Sequence, residues 1–190
     1  MTERNIQELA SDLFGGFWPG IQLYYPPVKY SPATSEYEDL KAAGQRFKKH
    51  AYKTNANTLI FDLEDGCRQK ALSRELLKQE LEGLRIKRPD VFIAIRVNPF
   101  RTDEYELDIK LLREVGQYVD VVMLAKAGEA YGSPEVRDLS SLLLDINHKI
   151  TIQPIIEHPR SLKIVSDLMA YSTVKHVVFG IHDFSKAMGL

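Results

Sequence analysis

The chain has 190 residues, of which 44% are hydrophobic and 27% are charged, a balance typical of one folded domain with a substantial core. Its formal net charge of −1 argues against a broad basic surface for nucleic acid, and its apolar runs are too short to cross a membrane. The single cysteine, Cys67, excludes an internal disulfide and is typical of a reducing compartment, so we expect a soluble cytoplasmic protein with neither a nucleic-acid nor a membrane partner.

The chain opens with a short amphipathic pattern. Residues 4–14 predict a lead-in helix within residues 1–18, and glycines and a proline separate it from the first strand. Apolar runs then alternate with helical patterns, which predicts parallel strands buried on both faces. The predicted strands cover residues 22–27, 58–65, 91–98, 120–126, 149–157 and 176–183. The predicted helices between them cover residues 36–53, 68–84, 105–116, 134–147 and 160–171.

This alternation predicts an α/β fold in a single domain over residues 1–190. A closed TIM (β/α)8 barrel needs eight strands, whereas the chain supplies only about six β/α units. We therefore expect a TIM-type (β/α)8 barrel that is incomplete at its C-terminal end, with an open sheet as the alternative. Truncation, natural shortening and completion by another subunit would each explain the difference. Exposed apolar edges on the outer strands favour pairing with another chain, so we expect a homo-oligomer.

Two acids end the last two predicted strands. Glu157 ends the strand over 149–157, and Asp183 ends the strand over 176–183. Neighbouring strands lie about 4.8 Å apart, so carboxylates at adjacent strand ends can reach one cation. Two carboxylates, with the other positions open to water and substrate oxygens, favour Mg²⁺ over zinc, which prefers histidine and cysteine. The alternative is that each acid caps a helix or pairs with a nearby lysine or arginine.

Arg96 lies near the end of the third predicted strand. A buried guanidinium needs an anionic partner, and its planar fork fits a substrate carboxylate or carbonyl oxygen. The segment DLEDG ends the second strand with Asp62, Glu64 and Asp65, and strand alternation puts Asp62 and Glu64 on one face. We expect one of these acids to hold Arg96 or a metal-bound water. An internal ion pair of Arg96 with Glu64 or Asp65 and a contact with substrate are both open for the arginine.

Lys126 ends the fourth predicted strand and is a candidate ligand for a substrate carboxylate or phosphate, with a Schiff-base role as the minor alternative. His158 and His182 flank the two candidate metal ligands, where each is either a general base, a residue that orients a metal ligand, or a side chain that faces solvent. Cys67 has no evident activating partner in the sequence, so we expect it to be structural.

Five segments resemble the HpcH/HpaI aldolase–citrate lyase β-subunit family, in the family's order and at similar spacing. They are LIFDLEDG, IRVNP, VVMLAK, PIIEHPR and VVFGIHDFS, and the resemblance spans residues 20–190. It implies a TIM-type barrel, Mg²⁺, and carbon–carbon bond cleavage or formation through an enolate.

Residue by residue, the resemblance matches Glu157 and Asp183 to the family's metal ligands and Arg96 to its substrate-binding arginine. Glu64 and Asp65 match acids that support the site, which makes them candidate catalytic residues together with Arg96. The expected function is a Mg²⁺-dependent carbon–carbon lyase that acts on a small oxo- or hydroxy-acid, or on its CoA thioester, through a metal-stabilised enolate. The alternatives are a non-catalytic or incomplete barrel subunit that acts by association, and a pyruvate- or phosphoenolpyruvate-type barrel enzyme.

Overall fold

The computed structural model describes residues 20–31 and 35–190. The strands in these ranges are β1 (Gln22–Tyr25), β2 (Tyr30–Ser31), β3 (Glu36–Tyr37), β4 (Thr58–Asp62), β5 (Phe92–Val97), β6 (Val121–Leu124), β7 (Thr151–Ile156) and β8 (Val178–Phe179). Within the described residues, β1, β4, β5, β6, β7 and β8 form one curled parallel sheet in that order, and β2 pairs with β3 as an antiparallel hairpin. The predicted α/β fold, with about six strands of a TIM-type barrel, is confirmed.

Each strand of the parallel sheet is followed along the chain by a helix. In the described residues these are α1 (Leu40–His50), α2 (Lys70–Lys87), α3 (Asp103–Val115), α4 (Pro134–Ile146), α5 (Val165–Met169) and α6 (Ile181–Ala187). Short 3-10 turns cover Ala51–Lys53, Gly116–Tyr118 and Pro159–Ile164. The predicted lead-in helix over residues 4–14 lies outside the described residues. No helix in residues 20–31 and 35–190 combines the length and apolarity that a membrane span requires.

Two helices differ most from their predicted bounds, while the other three predicted helices are shifted by at most three residues at either end. α1 starts at Leu40 rather than at 36, because Asp39 is extended and its Oδ1 accepts a hydrogen bond from the Ala42 amide at 2.7 Å, which caps the first turn. Residues 36–37, predicted as helix, instead pair with β2 in the hairpin. The helix predicted over 160–171 is a 3-10 turn followed by the short α5.

The last strand of the sheet is much shorter than the predicted strand over 176–183. β8 has two residues, and the chain leaves the sheet at Gly180. The Gly180 amide donates to the Ile156 carbonyl at 2.9 Å, and the Gly180 carbonyl accepts from the Phe184 amide at 3.1 Å, which starts α6. The prediction that Asp183 ends a strand is therefore wrong. Asp183 lies in the first turn of α6.

The parallel sheet has two faces with different partners. Alternate side chains, such as Leu59, Phe61 and Ile95, are fully buried in the large core that the sheet forms with the helices. The intervening side chains face the inside of the curled sheet, where a smaller apolar cluster contains Ile60, Ala94, Val121, Met123 and Ile155. Towards the carboxyl ends of the strands this inner face becomes polar, and the candidate site begins there.

Two residues of α2 test which face of this helix stabilises the fold. Leu84 is fully buried in the core, whereas Ile86, two residues later, is 71% exposed. We expect Leu84→Ala to lower the free energy of unfolding by about 2–5 kcal/mol, because it removes buried methyl groups and leaves a cavity. Ile86→Ala is the matched control and should change it by less than about 0.5 kcal/mol. Urea denaturation measures both, and equal effects would contradict the assignment of the core face.

Candidate metal and substrate site

Arg96 and Asp62 form the centre of the polar inner face. They are register partners on the adjacent strands β4 and β5, so their side chains leave the sheet side by side. Arg96 Nε lies 2.7 Å from Asp62 Oδ1 and Nη2 lies 2.6 Å from Oδ2, a bidentate pair. Glu64 Oε2 lies 3.4 Å from Arg96 Nη1. Burial alone would lower the pKa of Arg96, but the hydrogen bonds and charge of Asp62, with the charge of Glu64, raise it above its ordinary value.

Asp62 also organises the DLEDG turn. Its Oδ1 accepts a hydrogen bond from the Glu64 amide at 2.9 Å, and its Oδ2 accepts one from the Gly66 amide at 3.1 Å. A Cβ at position 66 would lie 2.3 Å from Asp62 Oδ2, so the turn needs glycine there. The prediction that one acid of this segment holds Arg96 is confirmed, and Asp62 is the main partner.

Lys126 forms ion pairs with the DLEDG turn from the other side of the site. It follows β6, and its Nζ lies 2.8 Å from Glu64 Oε1 and 3.5 Å from Asp65 Oδ2. Glu64 is buried, whereas the Asp65 side chain is 66% exposed at the rim. Partial burial opposes ionisation of Lys126, but the hydrogen bond and charge of Glu64 outweigh it and raise its pKa to about 12. A protonated amine is not a nucleophile, which disfavours the Schiff-base alternative.

Glu157 lies directly after β7 and is 5% exposed. Its Oε2 accepts a hydrogen bond from the backbone amide of Lys126 at 2.8 Å. Gly180, at the end of β8, packs against it: a Cβ at position 180 would lie 2.5 Å from Glu157 Cγ. The absence of a side chain at this glycine is therefore what lets β8 and Glu157 approach each other.

The charges around Glu157 are unbalanced. Burial is the main reason that the pKa of Glu157 is raised, and the carboxylates of Glu64 and Asp183 raise it further, while the Lys126 amide and Arg96 lower it. In residues 20–31 and 35–190, no lysine or arginine side chain forms an ion pair with Glu157 or Asp183. The alternative that each acid pairs with a basic side chain is thus not seen in this part of the chain. A bound cation would balance these charges.

The donor set fits Mg²⁺ better than zinc. Glu157 and Asp183 would supply two carboxylates, and Asp183 is close enough for its charge to raise the pKa of Glu157. Across the described ranges, no group of three or more His, Cys, Asp or Glu side chains could hold a metal ion. A site with few protein ligands and several positions left to water and substrate oxygens is typical of Mg²⁺, whereas zinc usually takes three or four protein ligands.

Tyr24 is a site residue that the sequence reasoning missed. It lies on β1, paired in register with Ile60 of the inner face, and its ring centroid is 5.3 Å from Arg96 Cζ, a cation–π contact. Tyr24 is 46% exposed, and its partial burial raises its pKa; the charge of Arg96 lowers this pKa, while the charges of Asp62 and Glu157 raise it further. Because side chains alternate between the two faces of a strand, the sequence of β1 could have predicted that Tyr24 faces the same side as the site residues.

The remaining candidates are more peripheral. His158 Nδ1 accepts a hydrogen bond from the Arg160 amide at 3.1 Å and so caps the 3-10 turn after β7. His182 is exposed on α6. Cys67 is buried, with its Sγ 3.2 Å from Ser73 Oγ, and burial raises the pKa of its thiol, in agreement with a structural role.

The sequence profile of one protein family, HpcH/HpaI aldolase/citrate lyase, matches residues 40–190. The chain belongs to this family. The resemblance drawn from the five segments is therefore confirmed, and the family match includes all of the candidate site residues: Glu64, Asp65, Arg96, Lys126, Glu157 and Asp183. No curated protein matches the chain.

Solved structures share the fold of this family member. The citrate lyase beta subunit from M. tuberculosis, complexed with oxaloacetate and magnesium, is 22% identical with a TM-score of 0.61, over 90% of this chain and 61% of that one. RipC from Yersinia pestis is 21% identical with a TM-score of 0.61, over 90% and 61%. Macrophomate synthase is 15% identical with a TM-score of 0.63, over 98% and 64%. The chain thus spans less than two thirds of the length of each of these proteins.

The Asp62–Arg96 pair predicts a strong energetic coupling. We expect Asp62→Ala or Arg96→Ala alone to lower the free energy of unfolding by about 3–5 kcal/mol, because each leaves one buried charge without its partner. The double variant should lose clearly less than the sum. A double-mutant cycle by urea denaturation measures the difference.

The control for this cycle is the pair of Lys78 and Glu114. It joins α2 to α3 at 2.7 Å, but its side chains are 35% and 53% exposed. Its coupling should be about 0–1 kcal/mol. A coupling for Asp62 and Arg96 no larger than that of the control would contradict the central role of the buried pair.

Proposed function

We propose that the chain is a Mg²⁺-dependent carbon–carbon lyase that acts on a small oxo- or hydroxy-acid, or on its CoA thioester, through an enolate. The observation that carries this proposal is the set of two carboxylates, Glu157 and Asp183, which have no ion-pair partner in the described residues and are close enough for the charge of Asp183 to raise the pKa of Glu157; the charge of Arg96 also acts on Glu157 and lowers its pKa. Among the similar structures, CitE from Mycobacterium tuberculosis is complexed with magnesium and pyruvate in one and with magnesium and acetoacetate in another, which supports acids of this size.

Glu157 and Asp183 are the proposed metal ligands. The Lys126 amide fixes one oxygen of Glu157, Oε2, and no hydrogen bond from the described residues reaches the other. When bound, Mg²⁺ would act as a Lewis acid that stabilises the negative charge of the enolate. Burial of Glu157 would strengthen its attraction for a cation, because the surrounding dielectric is low.

Arg96 is the proposed substrate ligand and charge stabiliser. A guanidinium carries five N–H donors, and Asp62 takes one on Nε and one on Nη2, while Glu64 lies near Nη1. One donor on each terminal nitrogen is therefore left for a substrate oxygen. Because Asp62 fixes the guanidinium plane and Tyr24 covers it, these donors need no rearrangement to stabilise developing charge.

Glu64, Asp65 and Lys126 are the proposed supporting residues. Glu64 lies between the two cations, 2.8 Å from Lys126 Nζ and 3.4 Å from Arg96 Nη1, so its carboxylate group links them. Asp65 is exposed at the rim and reaches Lys126 at 3.5 Å, where it could contact a substrate that enters from solvent. The catalytic roles of Glu64 and Asp65 stay predictions.

The metal site is tested by removing one charge at a time. We expect Glu157→Gln and Asp183→Asn each to abolish Mg²⁺-dependent turnover and to weaken Mg²⁺ binding by more than about tenfold, because each variant loses an anionic ligand. Isothermal titration calorimetry with Mg²⁺ measures the affinity, and release of a 2-oxo acid measures turnover. Asp145→Asn, an exposed acid of α4, is the control and should behave as the wild type. Unchanged turnover in either site variant would disprove the metal assignment.

The substrate class is decided by comparing two sets of compounds on the wild-type chain. Short oxo- and hydroxy-acids form one set, and their CoA thioesters form the other. Turnover of either set, lost on removal of Mg²⁺ by EDTA and restored by its addition, would support the lyase. Phosphoenolpyruvate is assayed beside the two sets, and turnover confined to it would instead favour the alternative pyruvate- or phosphoenolpyruvate-type enzyme.

We also propose that the chain associates with itself through its outer strands. Leu23 on β1 and Phe179 on β8 are 42% and 50% exposed, at the two ends of the parallel sheet. Exposed apolar edge strands favour pairing with another chain.

Light scattering after size exclusion tests this association. We expect a mass that is a multiple of 21.7 kDa, which Leu23→Glu or Phe179→Glu should reduce, because a charge on an edge strand opposes pairing. Ile86→Glu, at an exposed position of α2 away from both edges, is the control. A wild-type mass of 21.7 kDa would contradict the proposal.

A further inference from the structure

Lys126 has a backbone conformation that is unusual for its residue type. Its φ is +53°, in the left-handed region that residues with a side chain rarely adopt. Such strain persists only where the surroundings impose it, and it is frequent at functional sites. Here the conformation turns the Lys126 amide towards Glu157 Oε2, at 2.8 Å, while the Lys126 carbonyl accepts a hydrogen bond from the Glu129 amide at 3.2 Å.

The loop after Lys126 is fixed from its far end by a second buried carboxylate. Glu135, 1% exposed in the first turn of α4, accepts hydrogen bonds from the Gly128 amide at 2.7 Å and from the Tyr131 amide at 2.8 Å. Gly128 has a φ of +76°, and a Cβ there would lie 2.2 Å from Ile164 Cδ1, so the loop cannot shift freely. The left-handed turn at Lys126 is thus held on both sides.

The same residue reaches the other half of the site with its side chain. Its ammonium lies 2.8 Å from Glu64 Oε1, and Glu64 in turn lies 3.4 Å from Arg96 Nη1. Lys126 therefore contacts the candidate metal ligand through its backbone and the neighbour of the candidate substrate ligand through its side chain. Asp65 takes a further contact at 3.5 Å, so the ammonium is engaged by two carboxylates.

We propose that Lys126 is a positioning residue that sets the place of Glu157 through its left-handed amide and the place of Glu64 through its ammonium. This role differs from the substrate contact expected from the sequence. Its meaning for catalysis rests on the proposed function, whereas the positioning itself can be measured without metal or substrate.

The experiment separates the backbone role from the side-chain role with two variants. Lys126→Gly removes the ammonium but favours the left-handed conformation, because glycine has no Cβ. Lys126→Val removes the ammonium and opposes that conformation, because a β-branched side chain is poorly tolerated at positive φ. Each is combined with Glu157→Gln, which replaces the charged acceptor by a neutral one. Thermal unfolding establishes that each variant is folded.

The first measurement is the amide proton shift of residue 126 in ¹H–¹⁵N spectra recorded without Mg²⁺. Glu157→Gln should move this resonance clearly upfield in the wild-type and Lys126→Gly backgrounds, because a hydrogen bond to a carboxylate is stronger than one to a neutral amide. It should have little effect in the Lys126→Val background, where the amide no longer points at residue 157. An equal shift in all three backgrounds, or none in the wild type, would overturn the backbone role.

The second measurement is binding and turnover. Lys126→Gly should keep the wild-type Mg²⁺ affinity within about threefold, but lower kcat by about tenfold or more with little change in KM, because Glu64 loses its anchor. A raised KM with unchanged kcat would identify a substrate ligand instead and overturn the side-chain role. If the wild type neither binds Mg²⁺ nor turns over an acid, the proposed function fails. The amide comparison then supports or overturns the positioning role by itself.

Discussion

The buried pairing of Asp62 with Arg96 determines the layout of the site. Two charges on adjacent strands, both on the inner face, are stable there only as a close pair with further hydrogen bonds. The Asp62 carboxylate accepts hydrogen bonds from the Arg96 guanidinium and from two backbone amides of the DLEDG turn, so both of its oxygens are already engaged. The next acid on that face, Glu64, then bridges Arg96 and Lys126. Asp62 thus fixes Arg96, and Glu64 links Arg96 to Lys126.

This order leaves a difference between the two sides of the site. The cations of the site, Arg96 and Lys126, are neutralised by the acids of the DLEDG segment. Glu157 is buried on the other side, and a backbone amide is its hydrogen-bond donor in the described residues. Negative charge is therefore fixed where it can attract a cation, while Arg96 keeps donors for an anion. The proposed substrate, an acid with adjacent carboxylate and carbonyl oxygens, would match both sides.

The sequence predicted the parts of the site that depend on strand alternation. Alternation of side chains along the strand predicts that Asp62 and Glu64 share one face, and the cost of burying an unpaired guanidinium predicts an acid beside Arg96. The helical position of Asp183 was not foreseen, since the apolar run HVVFGI is equally typical of a longer strand. The chain turns into α6 at Gly180, which packs against Glu157 of the neighbouring strand end, and no local pattern records that tertiary contact. The hairpin of β2 and β3 and the left-handed turn at Lys126 likewise depend on tertiary contacts and leave no local sequence pattern.

The two apolar clusters of the sheet differ greatly in size, and this has a consequence for the history of such a protein. The large cluster between sheet and helices excludes water over most of the chain, whereas the inner cluster is a thin layer beneath the charged groups. Substitutions of exposed residues at the rim of this face, such as Asp65, therefore put little of the folding free energy at risk, whereas the Asp62–Arg96 pair beneath them must be kept whole. Lineages with this architecture can exchange rim residues that meet a ligand while inheriting the buried pair and the helix-backed scaffold, so new specificities are accessible by few steps.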